Sequence, residues 1–347
     1  MTNPSAEKYW LGIDVGGTKM LAGVYDAQWK LVGSKKRKTK ADEGQAKGLD
    51  RLIRTGIDAM NAAGLTPDQL GGVGIGCPGP LDLQTGTLVS AANLGWKDVE
   101  LKKLLEKTFG VPAAVANDVD AGVFGEATQG AGKGARSVLG VFPGTGIGGG
   151  LVYEGKVFRG RNQSCLEVGH MTAIVEGPRC GCGRRGCLEG VAGRLAISAA
   201  AASAVLRGQA PWLKENAGSD PAKIRSKTLA DAIENGDMVI RDIVEQACDY
   251  LGRALGDLVN LLAPEVIVLG GGMIEAMPTV MMPRIRQAMR PRVMDAFTDS
   301  YKLKEAVLGD LAVSLGAAAL AKDGAEAGAK DGAKDQVKKP EKDSSKK

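Results

Sequence analysis

Short apolar runs of strand length alternate along the chain with stretches whose apolar residues recur every three or four positions. Leu11–Val15 and Met20–Tyr25 are apolar runs separated by Gly16-Gly17-Thr18-Lys19, the pattern of two strands joined by a glycine turn. Residues 29–40 predict a third strand. Its basic run, Lys35 to Lys38, reads as a solvated sheet edge, where lysines oppose pairing with other chains. Over 48–62, Leu49, Leu52, Ile53, Ile57 and Met60 fall near one face of a helix. A strand over 70–75 stops at Cys77-Pro78-Gly79-Pro80, and an amphipathic helix over 99–108 ends at Gly110. Residues 111–115 form the next strand, followed directly by Asn117-Asp118. Strand, helix, strand in this order predicts α/β layers.

The order begins again near residue 120. A strand over 137–142 runs into Pro143-Gly144-Thr145-Gly146-Ile147-Gly148-Gly149-Gly150, and Leu151–Tyr153 returns as a strand. Two glycine hairpins in corresponding places point to an internal duplication, on that likeness alone. Helical spacing follows over 193–206, 227–235 and 238–262. A strand over 265–269 ends in Gly270-Gly271-Gly272, and an alanine-rich helix covers 311–321. From residue 323 the character changes: with Lys322 included, the end of the chain holds eight lysines, six acids and one large apolar residue, Val337. Such a segment buries too little surface to offset its ordering entropy, which predicts a disordered tail over 323–347.

Composition narrows the classes. The 347 residues suffice for two domains, and 44% hydrophobic content suits a buried core. The 50 glycines follow no G-X-Y period, so collagen is excluded. Aromatics at 4% supply few stacking platforms, and a net charge of +5 from 45 basic and 40 acidic residues gives no basis for nucleic-acid binding. Six cysteines do not make a disulfide scaffold. With no basic region feeding an apolar stretch at the start and no uncharged apolar run of 18, the expectation is a cytoplasmic protein without a membrane partner.

Three glycine clusters stand at strand ends, at 16–17, 144–150 and 270–272. Glycine lets backbone N–H groups approach phosphate oxygens without a Cβ in the way; the plainer reading of any one cluster is a tight turn. None is a Walker A sequence, and an apolar strand, not a helix, follows Gly144–Gly149, which disfavours a Rossmann dinucleotide site. Asp14 lies at the end of the first strand, where an Asp can hold a hydrated Mg²⁺ that bridges ATP phosphates. Lys19 either adds charge there or is a solvated surface residue. Asp118, after a strand, either accepts a proton from an attacking hydroxyl or caps a helix. His170, Cys180, Cys182 and Cys187 make a set of the Cys₃His type, which closes a tetrahedral structural zinc site. The residues between the cysteines are glycines and arginines, poor core material, which favours metal over buried thiols. Glu167 and Glu189 flank this loop, either as acceptors for sugar hydroxyls or as solvated surface acids.

These residues carry a resemblance to the ROK family of repressors, open reading frames and sugar kinases, above all to its bacterial glucokinases. The matching stretches are LGIDVGGTK at 11–19, GIGCPGP at 74–80, ANLGW at 92–96, ANDVDAGVFGE at 116–126, GTGIGGGLVYEG at 144–155, LEVGHM at 166–171, CGCGRRGCLE at 180–189 and IVLGGG at 267–272. The resemblance implies an actin-like, ribonuclease-H-like sugar-kinase fold of two α/β lobes with a zinc-binding loop. The lobes would cover 1–118 and 119–310, with the knuckle at 170–187 and a helix at 311–322 returning to the first lobe. It implies that Asp14, Gly16, Gly17, Thr18 and Lys19, with Gly144, Thr145 and Gly146, form two phosphate loops, and that Gly270, Gly271 and Gly272 lie near adenosine. Asp118 would be the general base, and Gly79, Asn117, Asp118, Glu167, His170 and Glu189 would contact the sugar. His170 would serve zinc and sugar through its two ring nitrogens. The implied substrates are glucose and Mg-ATP, and the implied assembly is a homodimer. Three other readings remain open: another hexose or N-acetylhexosamine (fructose, mannose, allose, N-acetylglucosamine), a non-catalytic sugar-responsive regulator, and polyphosphate as donor. Cys165-Leu166 departs from the small pair usual before Glu167, which bears on sugar preference. No helix-turn-helix extension of the repressor type precedes the first strand, about ten residues into the chain.

Overall fold

A computed structural model describes residues 8–161 and 166–337, with side chains as far as Ala327. Cys165 and residues 338–347 lie outside the described residues. The chain divides into two units. The first uses the chain up to Gly122 and again from Val313, and the second uses Val123–Ala312.

In the first unit, β1 (Tyr9–Val15), β2 (Lys19–Tyr25) and β3 (Leu31–Lys38) form an antiparallel meander. After α1 (Gln45–Ala62), β4 (Leu70–Cys77) pairs parallel to β1. Three short strands, β5 (Leu81–Asp82), β6 (Thr87–Ala91) and β7 (Trp96–Val99), make a separate antiparallel sheet. Their two to five residues, partly polar, give no periodic signal in sequence. Helix α2 (Leu101–Phe109) ends at Gly110 in the left-handed conformation, and β8 (Ala113–Asn117) pairs parallel to β4. The sheet order is β3-β2-β1-β4-β8, so the lysine run of β3 does lie on an edge strand. Helix α3 (Asp118–Gln129) follows β8 without a loop.

The second unit repeats this plan. Strands β9 (Ser137–Pro143), β10 (Ile147–Tyr153) and β11 (Lys156–Val157) form the meander. The helices α4 (Glu189–Ala192), α5 (Arg194–Leu206), α6 (Pro211–Asn216), α7 (Ser226–Glu234) and α8 (Met238–Leu262) come next. Strand β12 (Val266–Leu269) pairs parallel to β9; then α9 (Gly272–Ala276) and α10 (Pro278–Met289) lead to β13 (Lys302–Glu305), parallel to β12. The order β11-β10-β9-β12-β13 matches the first sheet strand for strand, the likeness that the two glycine hairpins suggested. Along α8, buried Ile240, Val244, Leu251, Leu255 and Val259 face the core, each contributing roughly 1.5–3 kcal/mol. Helix α10 escapes a periodicity reading because Pro283 lies inside it.

The last helix, α11 (Ala312–Val337), belongs from Val313 on to the first unit. Alternation along β1 explains its seat. Leu11 and Ile13 point to the core shared with α1, while Gly12 points the other way. A Cβ on Gly12 would come 1.7 Å from the Ser314 carbonyl oxygen, and one on Gly74 of β4 would come 1.8 Å from that of Ala317. Only glycine on both strands lets the helix backbone lie this close. Buried Tyr25 also bonds Ser314, Oη to Oγ at 2.7 Å, and burial pushes its phenol up to about 12. The helix runs on through residue 323, where a disordered tail was expected, as far as Val337. Alanine, lysine and glutamate are good helix formers, so low burial removes tertiary support without removing local propensity. Among the described side chains, the last buried position of α11 is Ala321.

Candidate active site

Three parallel strands of the first unit, β1, β4 and β8, end side by side. Asp14 pairs in register with Gly76, and Cys77 with Asn117. Ligands of open α/β sheets bind at such carboxyl ends. Asn117 Oδ1 accepts from the backbone N–H of Val119 at 2.9 Å and of Asp120 at 3.4 Å, so the capping role falls to Asn117. Asp118, half-buried as the first residue of α3, accepts from Val119 N–H at 3.0 Å. Burial raises its carboxyl above the usual carboxylate range, against the lowering by these helix-end amides. Cys77 is fully buried; burial drives its thiol strongly upward, helped by the negative charges of Asp118 and Asp14. The expected base and the expected magnesium carboxylate therefore lie near one thiol in the floor of the site.

The turn from Gly16 to Lys19 closes with Gly16 N–H donating to the Lys19 carbonyl at 2.9 Å. Buried Thr39, which no sequence signal marked, holds it twice. Its Oγ1 donates to the Gly16 carbonyl at 2.6 Å and its N–H to the Thr18 carbonyl at 3.0 Å. Arg51 of α1 donates to the Thr39 carbonyl at 2.6 Å and pairs with Glu43 at 2.5 Å. Gly79 is exposed in the loop between β4 and β5.

In the second unit, Gly144–Gly146 forms the turn between β9 and β10, with Gly144 N–H donating to the Gly146 carbonyl at 2.8 Å. Glu189, at the start of α4, braces this turn: its Oε2 accepts from Ile147 N–H at 3.0 Å. A Cβ on Gly146 would come 2.1 Å from the same oxygen, so a larger residue there would displace the Glu189 carboxylate from the turn. Arg194 N–H donates to the Gly144 carbonyl at 3.0 Å, and its Nη2 donates to Thr145 Oγ1 at 3.0 Å. The third cluster, Gly270–Gly272, joins β12 to α9.

His170, Cys180, Cys182 and Cys187 converge, their ligand atoms all within 4.8 Å of one another. Cys180 Sγ lies 3.7 Å from His170 Nδ1, and Cys182 Sγ lies 3.6 Å from Cys187 Sγ. Tetrahedral zinc with bonds of about 2.3 Å to sulfur requires edges of roughly 3.8 Å, so the donor set fits zinc. The loop is preformed by backbone pairing of Thr172 with Cys187 and of Arg179 with Arg185. Hydrogen bonds from the backbone and side chain of Arg184 lower the Cys182 thiol to about 6, while burial pushes Cys180 up to about 11. Arg184 also donates to the His170 carbonyl at 2.9 Å. Cys180 Sγ lies 3.7 Å from Glu189 Oε1, so Glu189 joins the zinc loop to the second glycine turn. Glu167 is exposed; its carbonyl accepts from His170 N–H at 2.9 Å in the turn that carries the ligand. Thus His170 and Glu189 come together in the second unit, and Asn117 and Asp118 in the first.

The stretch Glu189–Leu206 is long and apolar enough to cross a membrane, with mean hydropathy 1.3. It holds Glu189 and Arg194, both bonded to the second glycine turn, and buried Ile197, Ala201 and Val205 pack in the core of the unit. That is the pattern of an internal helix.

Two sheets of one topology, each with a glycine turn at its strand ends, and in the first a carboxylate heading the helix after β8, are the plan of the sugar-kinase fold. The ROK family pattern matches residues 10–324. The chain is 33% identical to the glucokinase of Halalkalibacterium halodurans, over 91% of this chain and 96% of that protein. The ROK hexokinase of Thermus thermophilus superposes with a TM-score of 0.78 at 32% identity, covering 92% of this chain and 99% of that one. The ROK family glucokinase of Streptomyces griseus, solved in complex with glucose and AMPPNP, does so with a TM-score of 0.78 at 29% identity, covering 92% and 100%. The chain belongs to the ROK family.

Proposed function

We propose that the protein is an ATP-dependent hexose kinase that phosphorylates glucose at its 6-hydroxyl. The observation that carries the proposal is Asp118, a half-buried carboxylate with a raised proton affinity at the carboxyl end of a parallel sheet. In this reading the sugar O6 attacks the γ-phosphorus and the bond from that phosphorus to the β–γ bridging oxygen breaks. ADP leaves and the O6 proton passes to Asp118. Asn117 hydrogen-bonds the sugar, and its Oδ1 anchors the start of α3, so it holds acceptor and base in one frame. Gly79, Glu167, His170 and Glu189 take the remaining hydroxyls. Glu189 keeps lone pairs beyond those bonded to Ile147 N–H, and His170 keeps Nε2 beyond the Nδ1 that faces the cysteines.

The amides of Gly16–Lys19 and Gly144–Gly146 hold the donor phosphates, and Gly270–Gly272 lies by the adenosine. A divalent cation bound with ATP supplies charge neutralisation, and Asp14 is the carboxylate placed for it. Zinc, when bound, shapes the loop and leaves no open coordination position. The likeness to glucokinases supports glucose over other hexoses.

The test is a panel of hexoses and N-acetylhexosamines, each with Mg-ATP and with inorganic polyphosphate, read by ADP or phosphate-chain consumption and by product identity. Glucose 6-phosphate formed fastest with ATP is the expected result. Transfer to another sugar reassigns the acceptor, and tight sugar binding without transfer from either donor overturns the kinase reading.

A further inference from the structure

One charged group near the second glycine turn has no counterpart in the motifs above. Arg194 opens α5, the apolar helix RLAISAAAASAVL, and its guanidinium lies against Thr145 at 3.0 Å. Its side-chain hydrogen bond goes to a neutral hydroxyl, and no ion pair of Arg194 is found among the described residues. Arg225 stands close enough for its positive charge to be felt at Arg194. Burial first, and the Arg225 charge second, push the Arg194 guanidinium below its usual value. A positive charge that feels a second one favours an anion beside it.

Their surroundings tell which anion. Thr145 is the central residue of the turn assigned to the donor phosphates. Arg225 immediately precedes α7, whose first residue, Ser226, lies beside the third glycine cluster. Ser226 Oγ is 3.4 Å from Met273 Sδ and 3.7 Å from the position a Cβ would take on Gly272. Arg194 thus stands at the turn assigned to phosphates, and Arg225 is the chain neighbour of a residue at the turn assigned to adenosine, all within the second unit. Gly144 has open space on its Cα, so the turn is not filled by protein. A guanidinium presents a fork of donors that matches phosphate oxygens, two at a time.

We propose that Arg194 is a donor-binding residue, assisted by Arg225, that clasps the phosphate chain of the donor; Thr145 orients it until the anion binds. The inference rests on the kinase reading above. The chemistry recognised is a linear chain of phosphates, which a nucleoside triphosphate and inorganic polyphosphate both present.

The experiment uses the full-length protein and its Arg194→Ala, Arg225→Ala, doubly substituted and Arg194→Lys forms. Binding of AMPPNP is titrated calorimetrically, KM is measured for Mg-ATP, polyphosphate and sugar, and far-ultraviolet circular dichroism checks the fold. Arg194→Ala is expected to raise the AMPPNP dissociation constant and the ATP KM about tenfold, with sugar KM unchanged. Arg194→Lys should recover part of the loss, and the double variant should show a shallower dependence of donor binding on salt. Weakening for ATP alone assigns the pair to the nucleotide; weakening for polyphosphate as well assigns it to the phosphate chain in general. Donor affinity unchanged in a folded Arg194→Ala protein, or sugar KM rising as much as donor KM, overturns the proposal. If the unsubstituted protein binds neither donor, it is the kinase reading that fails.

Discussion

At the scale of single residues, Asp118 concentrates the argument. Its place directly after a strand was legible in the sequence, but the choice between cap and base was not, since Asp serves as either. The fold gives the cap to Asn117 and leaves Asp118 half-buried with a raised proton affinity, which supports the proposed role as base. Asp118→Asn is expected to lower turnover about 10²–10⁴-fold while sugar KM stays within a few-fold, measured by steady-state kinetics. The raised value has a stability consequence of defined sign. A carboxyl whose folded value lies above its unfolded one costs stability when ionised; the cost is absent below the unfolded value and complete above the folded one. Asp118→Asn should therefore be at least as stable as the parent near neutral pH, with the gap closing toward about pH 4. Thermal melts across pH measure this. In the same way, turnover should fall as pH is lowered through the raised value, because a protonated Asp118 cannot take the hydroxyl proton.

At the scale of elements, two devices stand out. The first is the zinc loop, legible because three cysteines and the lone histidine crowd one glycine- and arginine-rich stretch. What could not be read was Glu189 as a brace between that loop and the second glycine turn, since its partners lie 9 and 42 residues away. Cys182→Ser is expected to remove zinc, measured by metal analysis of the purified protein. It should raise sugar KM by about tenfold or more, with a smaller effect on donor KM. The second device is the seat of α11. The helix is evident from its alanines, but its partner surface is made of absent side chains, which leave no apolar pattern to find. Gly74→Ala would force a Cβ to 1.8 Å from a carbonyl oxygen and is expected to cost about 3 kcal/mol or prevent folding. A urea titration measures the loss.

At the scale of the whole chain, the excess of glycine acquires two separate causes. Some glycines turn the chain at strand ends, and others, such as Gly12 and Gly74, clear sheet faces for a helix backbone. Beyond Ala321 no residue of α11 is buried among the described side chains. Removing residues 328–347 should accordingly leave turnover unchanged and stability within about 0.5 kcal/mol, checked by kinetics and melting of the shortened protein. Local information sufficed for what is written locally: the strands and glycine turns of both hairpins, the long helices, the clustering of His170 with three cysteines and the strand-end aspartates. Each depends on neighbours within a few residues, through turn chemistry, periodicity or ligand spacing. Only the tertiary structure decided that α11 seats its backbone against Gly12 and Gly74, that Thr39 and Arg51 secure the first glycine turn, and that Arg194 leans on Thr145. These are contacts between residues far apart in sequence. Their energy comes from burial and from pairing polar groups that the fold has already brought together, and no short stretch of chain encodes that meeting.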